Sequence, residues 1–255
     1  MKKLITSAGL AALAASALAP VSAYAEDTAS SLAFNLGVVS DYRYRGISQT
    51  RLKPAVQGGV DYSYGGFYVG AWATNIKWIK DSGASKGSVE LDLYGGYKAP
   101  INDTLSYDVG VLRYQYIGNK LGDVPGFANA DTTEVYGALT VGPVTGKLSY
   151  SLTDTFGNVD SEGSYYADLS AGFDVGAGIT LTPHVGYQDI ANSKQYSYVD
   201  YSLTASKEIV PGLSLSLAAI GTNVKKTNDV SNYYNASVGK NLARKGVVVG
   251  LKYTF

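Results

Sequence analysis

Gly246-Val247-Val248-Val249-Gly250-Leu251-Lys252-Tyr253-Thr254-Phe255 closes the sequence. Counting back in twos from Phe255 gives Tyr253, Leu251, Val249 and Val247; between them lie Thr254, Lys252, Gly250 and Val248. Successive side chains of a strand point to opposite faces, so the segment predicts a strand with one apolar face and one small or polar face. Its last residue is an aromatic ring, placed where a membrane–water interface would hold it. An amphipathic strand of a soluble sheet could end the same way, so the rest of the chain has to decide.

The same alternation recurs along the chain. Leu32, Phe34, Leu36 and Val38 share a face that continues to Tyr42 and Tyr44, predicting a first strand over Leu32–Arg45. Val89, Leu91 and Leu93 alternate with Glu90 and Asp92; Tyr165, Ala167 and Leu169 with Asp168 and Ser170; Leu213, Leu215 and Leu217 with Ser214 and Ser216. Further strands are expected over Gly146–Phe156 and Ser164–Val175. Past Val111 the pattern of the fifth strand blurs, with Arg113 on the expected apolar face. The connections sort by parity. Gly65-Gly66, 99–104, 142–145, 176–178 and 209–212 are short, whereas 46–53, 77–87, 118–131, 157–163, 191–196 and 225 onward are mostly longer and more polar. A soluble sandwich has no reason to sort loops this way, but a membrane barrel with short inner turns and long outer loops does. Tyr233–Lys240 could form a further short strand. An even strand count favours reading 225–245 as one long outer loop, giving twelve strands, with ten and fourteen as alternatives.

Composition agrees with an all-β, transmembrane antiparallel up-and-down barrel. The sequence has 22 tyrosines against 6 phenylalanines, and 30 glycines. Tyrosine suits an interface because its ring is apolar and its hydroxyl meets water. Lys2 and Lys3, the apolar run Leu4–Leu18 and Ala23-Tyr24-Ala25 have the layout of a secretory signal peptide, residues 1–25, leaving 26–255 for the barrel. Basic and acidic residues number 21 each, so nothing points to nucleic acid. With no cysteine and 1 histidine, neither a thiolate metal site nor a zinc site is expected, and no cofactor is implied.

In lipid the apolar face turns outward and the polar face lines the lumen. The candidate pore-lining residues are therefore Asp41, Arg43, Arg45, Asp61, Glu90, Asp92, Asp168 and Asp200. Asp41-Tyr42-Arg43-Tyr44-Arg45 is the densest of these. Read as a strand, it sends its charges to the lumen and its tyrosines to lipid, making a basic ladder that selects anions. The arginines could instead pair with wall carboxylates such as Asp61, or bridge lipopolysaccharide phosphates. His184 is the sole candidate general base. No G-x-S-x-G motif accompanies it, and a lumen-lining histidine explains it as well.

Stretches within residues 39–97 carry a family resemblance, Pro54–Gly58 and Gly66–Asn75 among them. Val39-Ser40-Asp41-Tyr42-Arg43-Tyr44-Arg45-Gly46-Ile47-Ser48-Gln49-Thr50 and Glu90-Leu91-Asp92-Leu93-Tyr94-Gly95-Gly96-Tyr97 resemble the TorF-type porins of proteobacteria. The C-terminal strand ending on Phe255 looks like the signal read by the barrel-assembly machinery. These resemblances imply the cell outer membrane, contact with lipid and lipopolysaccharide, and a narrow channel for small hydrophilic solutes rather than an enzyme. The alternatives are an outer-membrane enzyme modifying lipid or lipopolysaccharide through His184, and a closed structural or adhesive barrel acting through its outer loops.

Overall fold

A computed structural model of the chain describes residues 30–224 and 239–255. Residues 1–25, the expected signal peptide, and most of Tyr233–Lys240 lie outside them. Twelve antiparallel strands run in chain order: β1 Ser31–Val39, β2 Ala55–Tyr64, β3 Phe67–Asn75, β4 Val89–Pro100, β5 Leu105–Tyr116, β6 Thr132–Val141, β7 Val144–Ser151, β8 Tyr165–Ala171, β9 Ile179–Asp189, β10 Tyr198–Val210, β11 Leu213–Thr222 and β12 Gly246–Thr254. Phe173–Asp174 prolongs β8 past Gly172. Each strand pairs with its neighbours in sequence, and β1 pairs with β12, so the sheet closes on itself. At this seam Leu36 faces Tyr253 and Val38 faces Leu251. The Phe34 N–H donates to the Phe255 carbonyl at 2.8 Å, and their rings stack 5.8 Å apart. A closed sheet leaves no unpaired edge, the condition for crossing hydrocarbon with strands.

The two faces of the wall divide as the alternation requires. Leu36, Val56, Val69, Val111, Leu169, Leu203, Leu217 and Val249 stand exposed on the outside. In water so broad an apolar belt would aggregate; in a bilayer it is the surface that lipid covers. Among the described residues no helix is long and apolar enough to cross a membrane; the apolar belt belongs to the strands. The Gly65-Gly66 turn joins β2 to β3, both glycines at positive φ, the geometry a two-residue hairpin needs.

The structure corrects two strand readings and bears out a third. β1 ends at Val39, not Arg45, and the chain then turns inward. β7 ends at Ser151, so Phe156 belongs to a loop. Arg113 does face outward with the apolar row, at the outer rim, where its guanidinium bonds Thr133 Oγ1 at 2.9 Å and approaches Asp131 at 3.3 Å. There the wall leaves the hydrocarbon, so a charge on the outer face has polar partners.

Candidate functional site: the plugged outer mouth

Residues 41–50 are all buried, and they lie inside the barrel. They form a tight hairpin in which Arg43 pairs with Ser48 and Tyr44 with Ile47. Arg45 and Gly46 make the turn at φ 45° and 79°, two successive positive values as in a type I′ hairpin. Glycine is required at the second position: a Cβ there would come within 2.8 Å of Thr222 Cγ2 and Asp200 Cβ on the wall. The turn thus points into the lumen and touches the far wall.

The hairpin satisfies its own polar groups first. The Asp41 carboxylate accepts from Arg43 Nε at 2.8 Å and from Ser48 Oγ at 2.5 Å. Arg43 also donates to the Arg244 carbonyl at 2.6 Å, tying the hairpin to the last outer loop. Its remaining groups reach the wall. Tyr42 OH donates to Glu90 Oε1 at 2.7 Å, and Tyr44 OH to Tyr114 OH at 2.6 Å. Burial first, then the Glu90 and Asp92 carboxylates, push the Tyr42 hydroxyl up from its ordinary pKa, so it remains a donor. Arg45 reaches two strands at once: Nη1 donates to Gln188 Oε1 at 2.5 Å and Nη2 to Glu134 Oε2 at 2.7 Å. Its guanidinium also lies 4.2 Å from the centroid of the Tyr166 ring. Neighbouring loops brace the plug. Lys77 N–H donates to the Gln49 carbonyl, Ser48 N–H to the Leu242 carbonyl, and Arg51 pairs with Asp81. Phe156 packs edge-on against Tyr44 and Tyr114.

Every strand buries a residue at this level, from Val39 on β1 and Ala55 on β2, through Glu134 on β6 and Gln188 on β9, to Val248 on β12. The hairpin therefore occupies most of the outer mouth, beside a small cavity lined by Tyr44, Trp78, Gln188 and Leu242. Asp41, Arg43 and Arg45 are inside the barrel but belong to this plug rather than to the wall, and Tyr42 and Tyr44 are buried beside them instead of facing lipid. A ladder of free arginines is not what the mouth presents.

Below the plug the lumen is polar and partly open. Asp61, Lys98, Asp108, Lys147 and Lys252 point inward and are half-buried. Tyr94, Tyr68 and Tyr136 lie across Gly70, Gly96 and Gly110 of the adjoining strands, which keeps their rings flat on the wall. Their hydroxyls meet acceptors: Tyr94 bonds Asp61 and Tyr68 bonds Asp108, each at 2.5 Å, and Tyr136 meets Tyr68. On the other side His184 sits between two carboxylates, Nε2 at 2.6 Å from Asp168 and Nδ1 at 3.6 Å from Asp200, with Tyr166 OH at 3.2 Å from Nε2. A serine nucleophile activated by an imidazole needs a hydrogen bond to it. Among the described residues the imidazole's partners are carboxylates and a phenol. Glu90 and Asp92 face inward directly under Tyr42, 1% and 3% exposed. Among the described residues no group of three or more His, Cys, Asp or Glu side chains is arranged to hold a metal ion.

A family model described as a bacterial protein of unknown function, Gcw_chp, matches residues 23–255. The chain belongs to the Gcw_chp family. No curated protein matches this Gcw_chp sequence. Among solved structures it is similar to the KdgM porin, with a TM-score of 0.52 at 8% identity over 89% of this chain and 99% of that one. It is equally similar to the NanC porin, with a TM-score of 0.51 at 9% identity over 88% and 99%. At these identities the likeness concerns the fold: this Gcw_chp chain shares the closed barrel of those porins.

Proposed function

We propose that this Gcw_chp protein is an outer-membrane channel through which small hydrophilic solutes diffuse, narrowed at its outer mouth by the 41–50 hairpin. The observation that carries the proposal is the lumen beneath the hairpin. Its inward face holds carboxylates, lysines and hydroxyls, and charged groups of that density keep water around them. The obstruction is a loop folded into the mouth rather than a wall strand, so it can leave without breaking the barrel. The TorF-type resemblance of residues 39–97 and the porin fold of the structural relatives both support this reading. Residues 1–25 act in it as the export signal. β12 with Phe255 is the segment offered to the barrel-assembly machinery, and the outer rim around Arg113 meets lipid and lipopolysaccharide.

A closed barrel is the second reading, favoured by the burial of a residue from every strand at the plug. Conductance in planar bilayers separates the two. The channel reading expects discrete steps from the refolded protein, and larger steps once residues 42–49 are replaced by a short Gly-Ser linker. A verified barrel that conducts in neither form would be a closed barrel.

A further inference from the structure

We infer that the lumen favours cations, small amine-bearing solutes among them; this rests on the channel reading above and names the charge class that such a channel would pass.

The arginines that suggest the opposite are neutralised. Arg43 is bound to Asp41 and Arg45 to Glu134, both pairs buried. What remains on the wall is acidic. Asp61, Asp108 and Asp168 face the lumen lower down, and Glu90, Asp92 and Asp200 higher up. Against them stand Lys98, Lys147 and Lys252, with His184 held between Asp168 and Asp200. Cross-strand register places Lys98 directly opposite Asp108 and Lys147 directly opposite Asp168, which sets two of the three ammonium groups beside a carboxyl group.

Two of these carboxyl groups lie directly under the plug. Glu90 Oε2 and Asp92 Oδ1 are buried without a hydrogen-bond partner, and the nearest hairpin group, Tyr42 OH, serves the other Glu90 oxygen. In a confined, low-dielectric passage fixed charges of one sign raise the local concentration of the opposite ion. With residues 42–49 removed, a mobile cation at this level would meet Glu90 Oε2 and Asp92 Oδ1, which accept no hydrogen bond among the described residues.

The aromatic wall acts in the same direction. A ring face attracts cations and repels anions. Two of the wall rings already hold one: Lys147 Nζ lies 4.0 Å from the Tyr136 centroid, and Lys98 Nζ 6.0 Å from that of Tyr68. Fixed charge and ring quadrupole thus favour the same class of solute.

The test is the reversal potential of the refolded protein in a planar bilayer under a potassium chloride gradient, measured on the full chain and on the variant lacking residues 42–49. Both should prefer potassium several-fold. Asp92→Asn and Glu90→Gln should move the reversal potential toward chloride, and Asp61→Asn, remote from the plug, should do so more weakly. Arg45→Gln should leave the preference cationic or strengthen it. A conducting barrel with no preference, or with preference for chloride, overturns the inference and leaves the channel standing. If neither form conducts, the channel reading fails and the inference falls with it.

Discussion

Arg45 Nη2 lies 2.7 Å from Glu134 Oε2, and both side chains are almost wholly shielded from solvent. The two residues are 89 positions apart in sequence, one on a loop tip and the other on the barrel wall. Their pairing fixes how deep the hairpin sits.

Removing one partner of a buried ion pair strands the other. Arg45→Ala should destabilise the seated hairpin by about 3 kcal/mol or more, with Glu134 left unpaired. Arg45→Ala with Glu134→Gln should cost less than Arg45→Ala alone. Proteolysis of the folded barrel within residues 41–50 reads the effect: fast in Arg45→Ala, intermediate in the double variant, slow in the wild type. Equal protection in all three would show that the pair does not seat the plug.

Gly46→Val meets two obstacles, the positive φ and the wall atoms of Thr222 and Asp200. The hairpin should unseat while the barrel survives, because the contact lies at the loop tip and not in the ladder. The expected readout is larger conductance with an unchanged heat-modifiable band on gels. Loss of the folded band would mean that the hairpin is needed to build the wall.

Neighbouring positions on β10 should respond oppositely to the same residue. Leu203 is 47% exposed on the lipid face, whereas Thr204 faces the lumen. Leu203→Arg should cost about 2–4 kcal/mol at the bilayer mid-depth. Thr204→Arg should fold normally and shift ion preference toward anions. Reversible unfolding in lipid vesicles measures the first and reversal potential the second.

His184→Ala removes the group a lipid-modifying enzyme would need. The variant should keep the fold and the conductance, and lipase or deacylase assays should read the same background before and after. Hydrolysis present in the wild type and absent in the variant would restore the enzyme reading.

The barrel was legible because its energetics repeat every two residues. Each strand that meets lipid on one side and water on the other must alternate, and Val89–Leu93 or Leu213–Leu217 show it without tertiary information. The plug was not legible for a related reason. Asp41-Tyr42-Arg43-Tyr44-Arg45 also alternates, so it imitates one more turn of the wall. Inside the mouth both faces of that segment are buried, and alternation no longer reports which face meets lipid. The discriminating signal is local: Arg45-Gly46 between Tyr44 and Ile47 is a two-residue turn, and Ser48 lies two hairpin pairings from the Asp41 it serves. Phe156 carries the same ambiguity, since an aromatic continuing a strand and an aromatic under a loop look alike in sequence.

The hairpin follows the first strand directly, yet its partners are Glu90, Tyr114, Glu134, Gln188 and Arg244. Those residues come together only after the wall has curled round and its last strand has joined its first. Contacts so distant in sequence are slow to form. The complete set of plug contacts can therefore form only once the wall has closed, and a barrel still short of closure has a mouth that is not yet fully sealed.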